Sequence, residues 1–166
     1  MNRKLHILFP ILLLGVALDL ATKQWVLQNM ALGSHIPVIN GFFNLVHIHN
    51  RGAAFGLLSS WSLDFVRIFF ICTTGIVLLV VGYLWWRLAE EERVTTLGYS
   101  MIMAGALGNL VDRVRFGEVV DFLDFYWGRY HWPAFNVADS LVCLGAGVLA
   151  WVILREEKGA DVSSTA

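Results

Sequence analysis

Residues 135–154 read FNVADSLVCLGAGVLAWVIL, an apolar stretch long enough to cross a bilayer as a helix and headed by Asp139. A carboxylate near hydrocarbon costs roughly 2.5–3.5 kcal/mol on insertion scales, so a chain rarely keeps one there without a use. A second aspartate, Asp121, lies in the apolar sequence VVDF at residues 119–122. We interpret the two aspartates as a pair of carboxylates that do acid–base work at a membrane face.

The composition supports a membrane protein. Of the 166 residues, 57% are hydrophobic and 15% are charged, whereas a soluble domain has about a quarter of its residues charged. The net charge of −1 predicts no nucleic-acid partner, because nucleic-acid binding needs a basic face. The length suits a single domain covering residues 1–166. We find no zinc-type spacing of cysteine and histidine, and we expect neither a metal nor another cofactor.

The fold class that we predict is an all-α membrane protein with four transmembrane helices. The apolar runs place the spans at about residues 5–27, 68–86, 94–111 and 135–154. Residues 33–61 are not helical in pattern, since Asn40-Gly41 predicts a turn and residues 44–50 alternate as in a half-buried strand. We therefore expect a small outer sheet on the membrane, with His47 and His49 on its exposed face. Residues 117–132 are mixed and aromatic.

The polar residues of the apolar runs fall on one side of the membrane when four spans are drawn. Lysines and arginines are split evenly between the two sides, so the positive-inside rule does not orient the chain. We orient it by function, with both termini and the turn at 87–93 in the cytoplasm. Every candidate site residue then lies on the opposite face, where exported substrates are processed.

The spacing of the charged residues suggests which ones share a helix face. Asp19 and Lys23 are four residues apart, which favours an ion pair that holds the first span to the bundle. Asn109, Asp112 and Arg113 also share one face, and the charged pair at its end is typical of interfacial positioning. Asp124, in the aromatic outer stretch, is expected to be solvated.

Two carboxylates in one site cannot both ionise easily, so one keeps a proton while the other stays charged. The charged group can take a proton from water, and the protonated group can polarise a carbonyl and then protonate a leaving amine. This chemistry is peptide hydrolysis without a covalent intermediate. Ser59, Ser60 and Ser140 lack a histidine partner, which disfavours a serine mechanism.

Five sequence blocks in order carry a resemblance to a known family. They are DLATK (19–23), NRGAAF (50–55), GALGNLVDR (105–113), VVDF (119–122) and FNVADS (135–140). With these blocks the chain resembles bacterial lipoprotein signal peptidase, also called signal peptidase II.

The resemblance implies an aspartyl endopeptidase of the bacterial cytoplasmic (inner) membrane, multi-pass, with its active site on the extracytoplasmic face. It implies cleavage of prolipoproteins just before the diacylglyceryl-modified Cys of the lipobox, and inhibition by globomycin-like cyclic peptides. The family fold it implies is four transmembrane helices with an outer β-cradle and a short outer helix. Membrane lipid is an expected partner, and we expect a monomer.

The resemblance also implies roles for particular residues. Asp121 and Asp139 correspond to the catalytic dyad, and Asp19 and Lys23 correspond to residues of the first span that support stability or activity. The positions around the site are Asn50, Gly52, Asn109, Arg113, Asn136 and Ala138.

Other classes of protein remain as alternatives. Membrane carboxylates also mark proton- or ion-coupled transporters, although four spans show no inverted repeat. An intramembrane protease of the presenilin type would need a Gly-x-Gly-Asp motif, which does not occur. A non-enzymatic assembly factor is a further alternative.

Overall fold

The computed structural model describes residues 3–52 and 62–164. Within them, four helices are long and apolar enough to cross a membrane, as predicted. Their bounds are α1 (Arg3–Asn29), α2 (Leu63–Arg87), α3 (Arg93–Phe116) and α4 (Val137–Ser164). The helices extend beyond the predicted spans, except that α4 begins two residues later than predicted, because Asn136 caps it. α2 starts early because the Ser62 side chain accepts the backbone N–H of Phe65.

Helix α3 lies at the centre of the bundle and packs against α1, α2 and α4. Small residues permit this close approach: a Cβ at Gly145 of α4 would lie only 2.6 Å from the carbonyl oxygen of Gly98 in α3. The outward faces of the other helices stay apolar, with Leu13 72% and Leu79 75% exposed. Such surfaces suit contact with lipid rather than water.

The outer sheet that the sequence predicts is present. It is antiparallel, with the order β1-β2-β3-β4, and its strands are β1 (His35–Ile39), β2 (Phe43–Asn50), β3 (Val119–Trp127) and β4 (Tyr130–His131). The Asn40-Gly41 turn joins β1 to β2, with Gly41 at a φ of 82°. The sequence pattern does not predict β3, because both faces of this strand are largely buried and the alternation of polar and apolar residues is lost. The elements of the described residues do not include the predicted short outer helix, and residues 53–61 lie outside them.

The predicted alternation of buried and exposed residues in β2 was wrong at the centre of the strand. The pairing of β2 with β3 shifts between Leu45 and Ile48, so the side chains do not keep strict alternation. His47 is buried rather than exposed and contacts the carbonyl oxygen of Met30 through Nδ1 at 2.9 Å, whereas Ile48 is 43% exposed.

Two features attach the sheet to the end of the bundle. Val26 and Met30 at the end of α1 form an apolar cluster with Val120 and Phe122 of β3. Helix α3 ends at Phe116 and is capped by Gly117, whose φ of 80° is the left-handed conformation that glycine adopts readily. Strand β3 begins two residues after Gly117. Asp121 is thereby brought back beside the helix ends.

Candidate active site

Asp139 lies in the first turn of α4, where it takes part in a reciprocal cap. The Asn136 side-chain oxygen accepts the backbone N–H of Asp139 at 2.9 Å, and the Asp139 carboxylate accepts the backbone N–H of Asn136 at 3.2 Å. The Asn109 amide donates to the other oxygen of Asp139 at 2.8 Å. Two donors and the N-terminus of α4 therefore surround this carboxylate.

Asp121 lies on β3 and is 1% exposed. Its two oxygens accept from two amides, Asn136 Nδ2 at 2.7 Å and Asn50 Nδ2 at 2.9 Å. Asn136 thus contacts both aspartates, one through its side chain and the other through the cap.

The environment of Asp121 favours its protonated form. Burial, together with the negative charge of Asp139, raises the pKa of Asp121 to about 7, although the hydrogen bonds from Asn50 and Asn136 act in the opposite direction. The carboxyl that lies on the strand is therefore well suited to hold a proton.

Asn50 and Arg113 are held in place by their neighbours. The side-chain oxygen of Asn50 accepts the backbone N–H of Gly52 at 2.7 Å, which orients the amide so that its nitrogen faces Asp121. Gly52 has a φ of 84°, and the Phe70 ring occupies the space where its Cβ would be. The Arg113 guanidinium lies 5.0 Å above the same ring and interacts electrostatically with both Asp139 and Asp121.

Asp19 and Lys23 form the predicted ion pair, 2.8 Å apart and buried. Lys23 also donates to the Asn109 oxygen at 3.1 Å. Because an ammonium group can only donate, this contact turns the Asn109 nitrogen towards Asp139. Asp19 accepts the backbone N–H of Ala138 at 2.9 Å. The structure thus brings all ten predicted site residues together at one end of the bundle, and their roles stay predictions.

Two predictions about neighbouring aspartates were wrong. Asp112 is not interfacial: it is 1% exposed and forms an ion pair with Lys23 at 2.9 Å. Asp124 is not solvated either, since it is buried and accepts from Asn44 at 2.9 Å and contacts His131 at 2.8 Å. The shared helix face of Asn109 and Asp112 was a signal that could have predicted the burial of Asp112. The burial of Asp124 could not be predicted, because the sequence pattern does not mark β3 as a strand.

Among the described residues, no group of three histidine, cysteine, aspartate or glutamate side chains is arranged to hold a metal ion. The groups of this site that can transfer protons are the two carboxyls, and amide side chains surround them.

Fold and site together define a multi-pass membrane protein with two linked aspartates at one end of its helices. Residues 11–155 match the family model described as Signal peptidase (SPase) II, and the chain belongs to this family of peptidases.

Similar proteins agree with this assignment. The lipoprotein signal peptidase of Desulforapulum autotrophicum is 50% identical over 139 residues, covering 84% of this chain and 86% of that protein. The lipoprotein signal peptidase of Geobacter sulfurreducens is 45% identical over 152 residues, covering 91% of this chain and 94% of that protein. A solved structure titled as a bacterial membrane enzyme at 2.3 Å resolution, obtained in meso, has a TM-score of 0.80 and 34% identity, covering 90% of this chain and 88% of that one. Membership of a peptidase family decides against the transporter and assembly-factor alternatives.

Proposed function

We propose that the chain is a single-domain aspartyl endopeptidase that removes signal peptides from diacylglyceryl-modified prolipoproteins, cleaving just before the lipid-modified Cys. The observation that carries the mechanism is the linkage of Asp121 and Asp139 through Asn136. The names of the relatives and the family model support the substrate class. No cofactor takes part in this proposal.

In the proposed reaction, charged Asp139 takes a proton from a water molecule whose oxygen attacks the scissile carbonyl carbon. Protonated Asp121 gives its proton to the carbonyl oxygen, so a neutral gem-diol forms. As the C–N bond breaks, the proton on Asp139 passes to the leaving nitrogen, and a gem-diol hydroxyl returns a proton to Asp121. Both carboxyls end in their starting states.

The supporting residues follow from their contacts. Asn50, Asn109 and Asn136 orient the two carboxyls, while Gly52 orients Asn50. The positive charge of Arg113 interacts with both aspartates, and we assign this residue to electrostatic support of the site. The burial of Ala138, Asp19 and Lys23 and their contacts with one another support a position behind the two carboxyls, away from the substrate.

We propose that the active site faces the extracytoplasmic side of the bacterial cytoplasmic membrane. The outer sheet presents apolar side chains at its edge, and Ile36, Val38, Ile39 and Phe42 are between 44% and 52% exposed. Such a surface can rest on lipid while the acyl chains of a substrate remain in the bilayer. Each buried CH₂ group contributes about 0.8 kcal/mol of anchoring, so the lipid would set the depth of the scissile bond. Globomycin-like peptides would compete for this site, and the chain would act as a monomer.

The test compares the cleavage of two lipobox peptides by the purified enzyme in one detergent. The peptides have the same sequence, but one carries diacylglyceryl-Cys and the other a free Cys. We expect kcat/KM to be far higher for the lipidated peptide, and a globomycin-like peptide to inhibit its cleavage. Equal rates on the two peptides below saturation would contradict the proposed substrate class.

A further inference from the structure

Two buried carboxylates bind the backbone next to the site, one at the residue before Asp121 and the other at the residue before Asp139. The Asp112 side chain accepts the N–H of Val120, the residue before Asp121, at 3.2 Å. The Asp19 side chain accepts the N–H of Ala138, the residue before Asp139, at 2.9 Å. Because Asp112 and Asp19 lie on α3 and α1, the backbone on either side of the site is held by different helices.

Lys23 joins the two carboxylates. Its ammonium lies 2.8 Å from Asp19 and 2.9 Å from Asp112, and none of the three side chains is more than 2% exposed. Asp19 binds Lys23 through Oδ2 and the Ala138 N–H through Oδ1. Asp112 binds both Lys23 and the Val120 N–H through Oδ2. We call Asp19, Lys23 and Asp112 the buried triad.

We propose that Asp112 is a positioning residue for peptide cleavage, and that through the buried triad it sets the placement of Asp121 relative to Asp139. The proposal rests on the proposed function of these two aspartates. Asp121 lies on a strand and Asp139 on a helix, so no single element of secondary structure determines their separation. A displacement of about 1 Å can cost 10²-fold in rate, which makes such a link valuable to the reaction.

The packing around the triad supports a positional role. At Gly108 of α3, a Cβ would lie 2.5 Å from the Asp19 carboxylate and 3.1 Å from the Ala138 Cβ. Only a residue without a side chain lets Asp19 reach the N–H of Ala138 at this point. Apolar residues of similar volume would often stabilise a fold as well as a buried ion cluster does. Stability alone is therefore a weak reason for three buried charges behind the site.

The experiment compares Asp112→Asn with Asp112→Ala in the full chain, using the lipidated peptide. Both variants lose the ion pair with Lys23, but only Asp112→Asn keeps an oxygen that can accept the Val120 N–H. We expect kcat of Asp112→Ala to fall about 10²-fold and that of Asp112→Asn to be at least about tenfold higher than that of Asp112→Ala. KM should change by less than about twofold in both, because Asp112 is too buried to touch a substrate.

The pH profile separates positioning from a loss of folded enzyme. Release of Val120 would weaken the hydrogen bond from Asn136 that lowers the pKa of Asp121, so the alkaline limb of the Asp112→Ala profile should move to higher pH. A loss of folded enzyme would lower the rate equally at every pH. Lys4→Met is the matched control: it removes a buried lysine that binds the end of α2, and it should lower the unfolding temperature with kcat and pH profile unchanged.

Equal losses in Asp112→Asn and Asp112→Ala, with an unmoved pH profile, would overturn the proposal in favour of a purely structural role. A wild-type rate for Asp112→Ala, with Asp121→Asn and Asp139→Asn inactive, would overturn the positioning role but leave the proposed function intact. Turnover by Asp121→Asn or Asp139→Asn would overturn both. Where Asp112→Ala yields no folded protein, Asp112→Glu decides, because it keeps a charge for Lys23 but moves the carboxylate away from its place at the Val120 N–H. A lowered kcat at unchanged KM with a moved pH profile supports the proposal, and wild-type values overturn it.

Discussion

Asn136 Nδ2 lies 2.7 Å from Asp121 Oδ1, and the side-chain oxygen of the same asparagine caps the helix that carries Asp139. One side chain therefore connects a strand to a helix N-terminus across the site. This connection lets an uncharged residue influence the position of both carboxyls, and it gives the first prediction.

Asn136→Ser and Asn136→Ala should separate capping from catalysis. Both variants lose the buried hydrogen bonds of the Asn136 amide, but serine can still cap α4 whereas alanine cannot. Asn136→Ala should therefore be less stable than Asn136→Ser by about 0.5–2 kcal/mol. Neither side chain reaches Asp121, so both should lose about tenfold or more in kcat. Unfolding temperature and turnover of the lipidated peptide are the two measurements. Full activity in Asn136→Ser would show that the contact with Asp121 is dispensable.

Asp121→Asn and Asp139→Asn should each remove most turnover while the protein still inserts and folds. A carboxamide cannot take a proton from water or serve as the acid, and such proton transfers are worth about 10²–10⁴-fold each. Asp124→Asn is the matched control, because Asp124 is also a buried aspartate of β3 but binds Asn44 and His131 instead of the site. Near-normal cleavage by either dyad variant would refute the assignment.

Activity should fall as the pH rises through about 7, the pKa to which burial raises Asp121. Above that pH Asp121 loses the proton that it must give to the carbonyl oxygen. Asn50→Ala removes a hydrogen bond that lowers this pKa, so its alkaline limb should lie at higher pH. Asn44→Ala, on the same strand but bound to Asp124, should leave the limb of the kcat/KM profile in place. A limb that moves equally in both variants would contradict the role of Asn50.

Lys23→Met should be the most destabilising single change in the buried triad. It leaves Asp19 and Asp112 buried without their cation, and breaking a buried ion pair typically costs about 3–5 kcal/mol. Asp19→Asn should be milder, since Lys23 keeps Asp112 as its partner. The triple change Asp19→Asn, Lys23→Met, Asp112→Asn should recover part of the loss. Thermal unfolding in one detergent ranks the variants, and a Lys23→Met protein as stable as the parent would exclude this account.

Both termini and the turn at 87–93 should be cytoplasmic, with the sheet outside. Single cysteines at Tyr130 and Glu91 test this in a background where Cys72 and Cys143 are replaced. Tyr130 of β4 is 79% exposed and lies at the end of the molecule that carries the site, whereas Glu91 lies in the exposed turn between α2 and α3. A membrane-impermeant thiol reagent added outside should label position 130 only. Labelling of position 91 alone would invert the orientation.

Local pattern was sufficient for the helices and for part of the sheet. Apolar runs of about 20 residues have few alternatives to a membrane helix, because backbone groups in hydrocarbon must be hydrogen-bonded within their own segment. The Asp19–Lys23 pair was predictable for the same reason, since spacing along a helix decides which side chains meet. Strand β3 was not predictable in this way, because burial on both faces removes the alternation that marks a strand.

By itself, the sequence determined that the chain spans a membrane, that its polar residues gather near one face, and that Asp121 and Asp139 are the unusual carboxylates. Only the tertiary structure decided what surrounds them. The contacts of Asp112 with Lys23 and Val120, and of Asp124 with His131, join elements that no periodicity relates. A side chain's surroundings in the fold depend on how helices and strands pack against one another, and that packing is a property of the whole chain rather than of any local stretch.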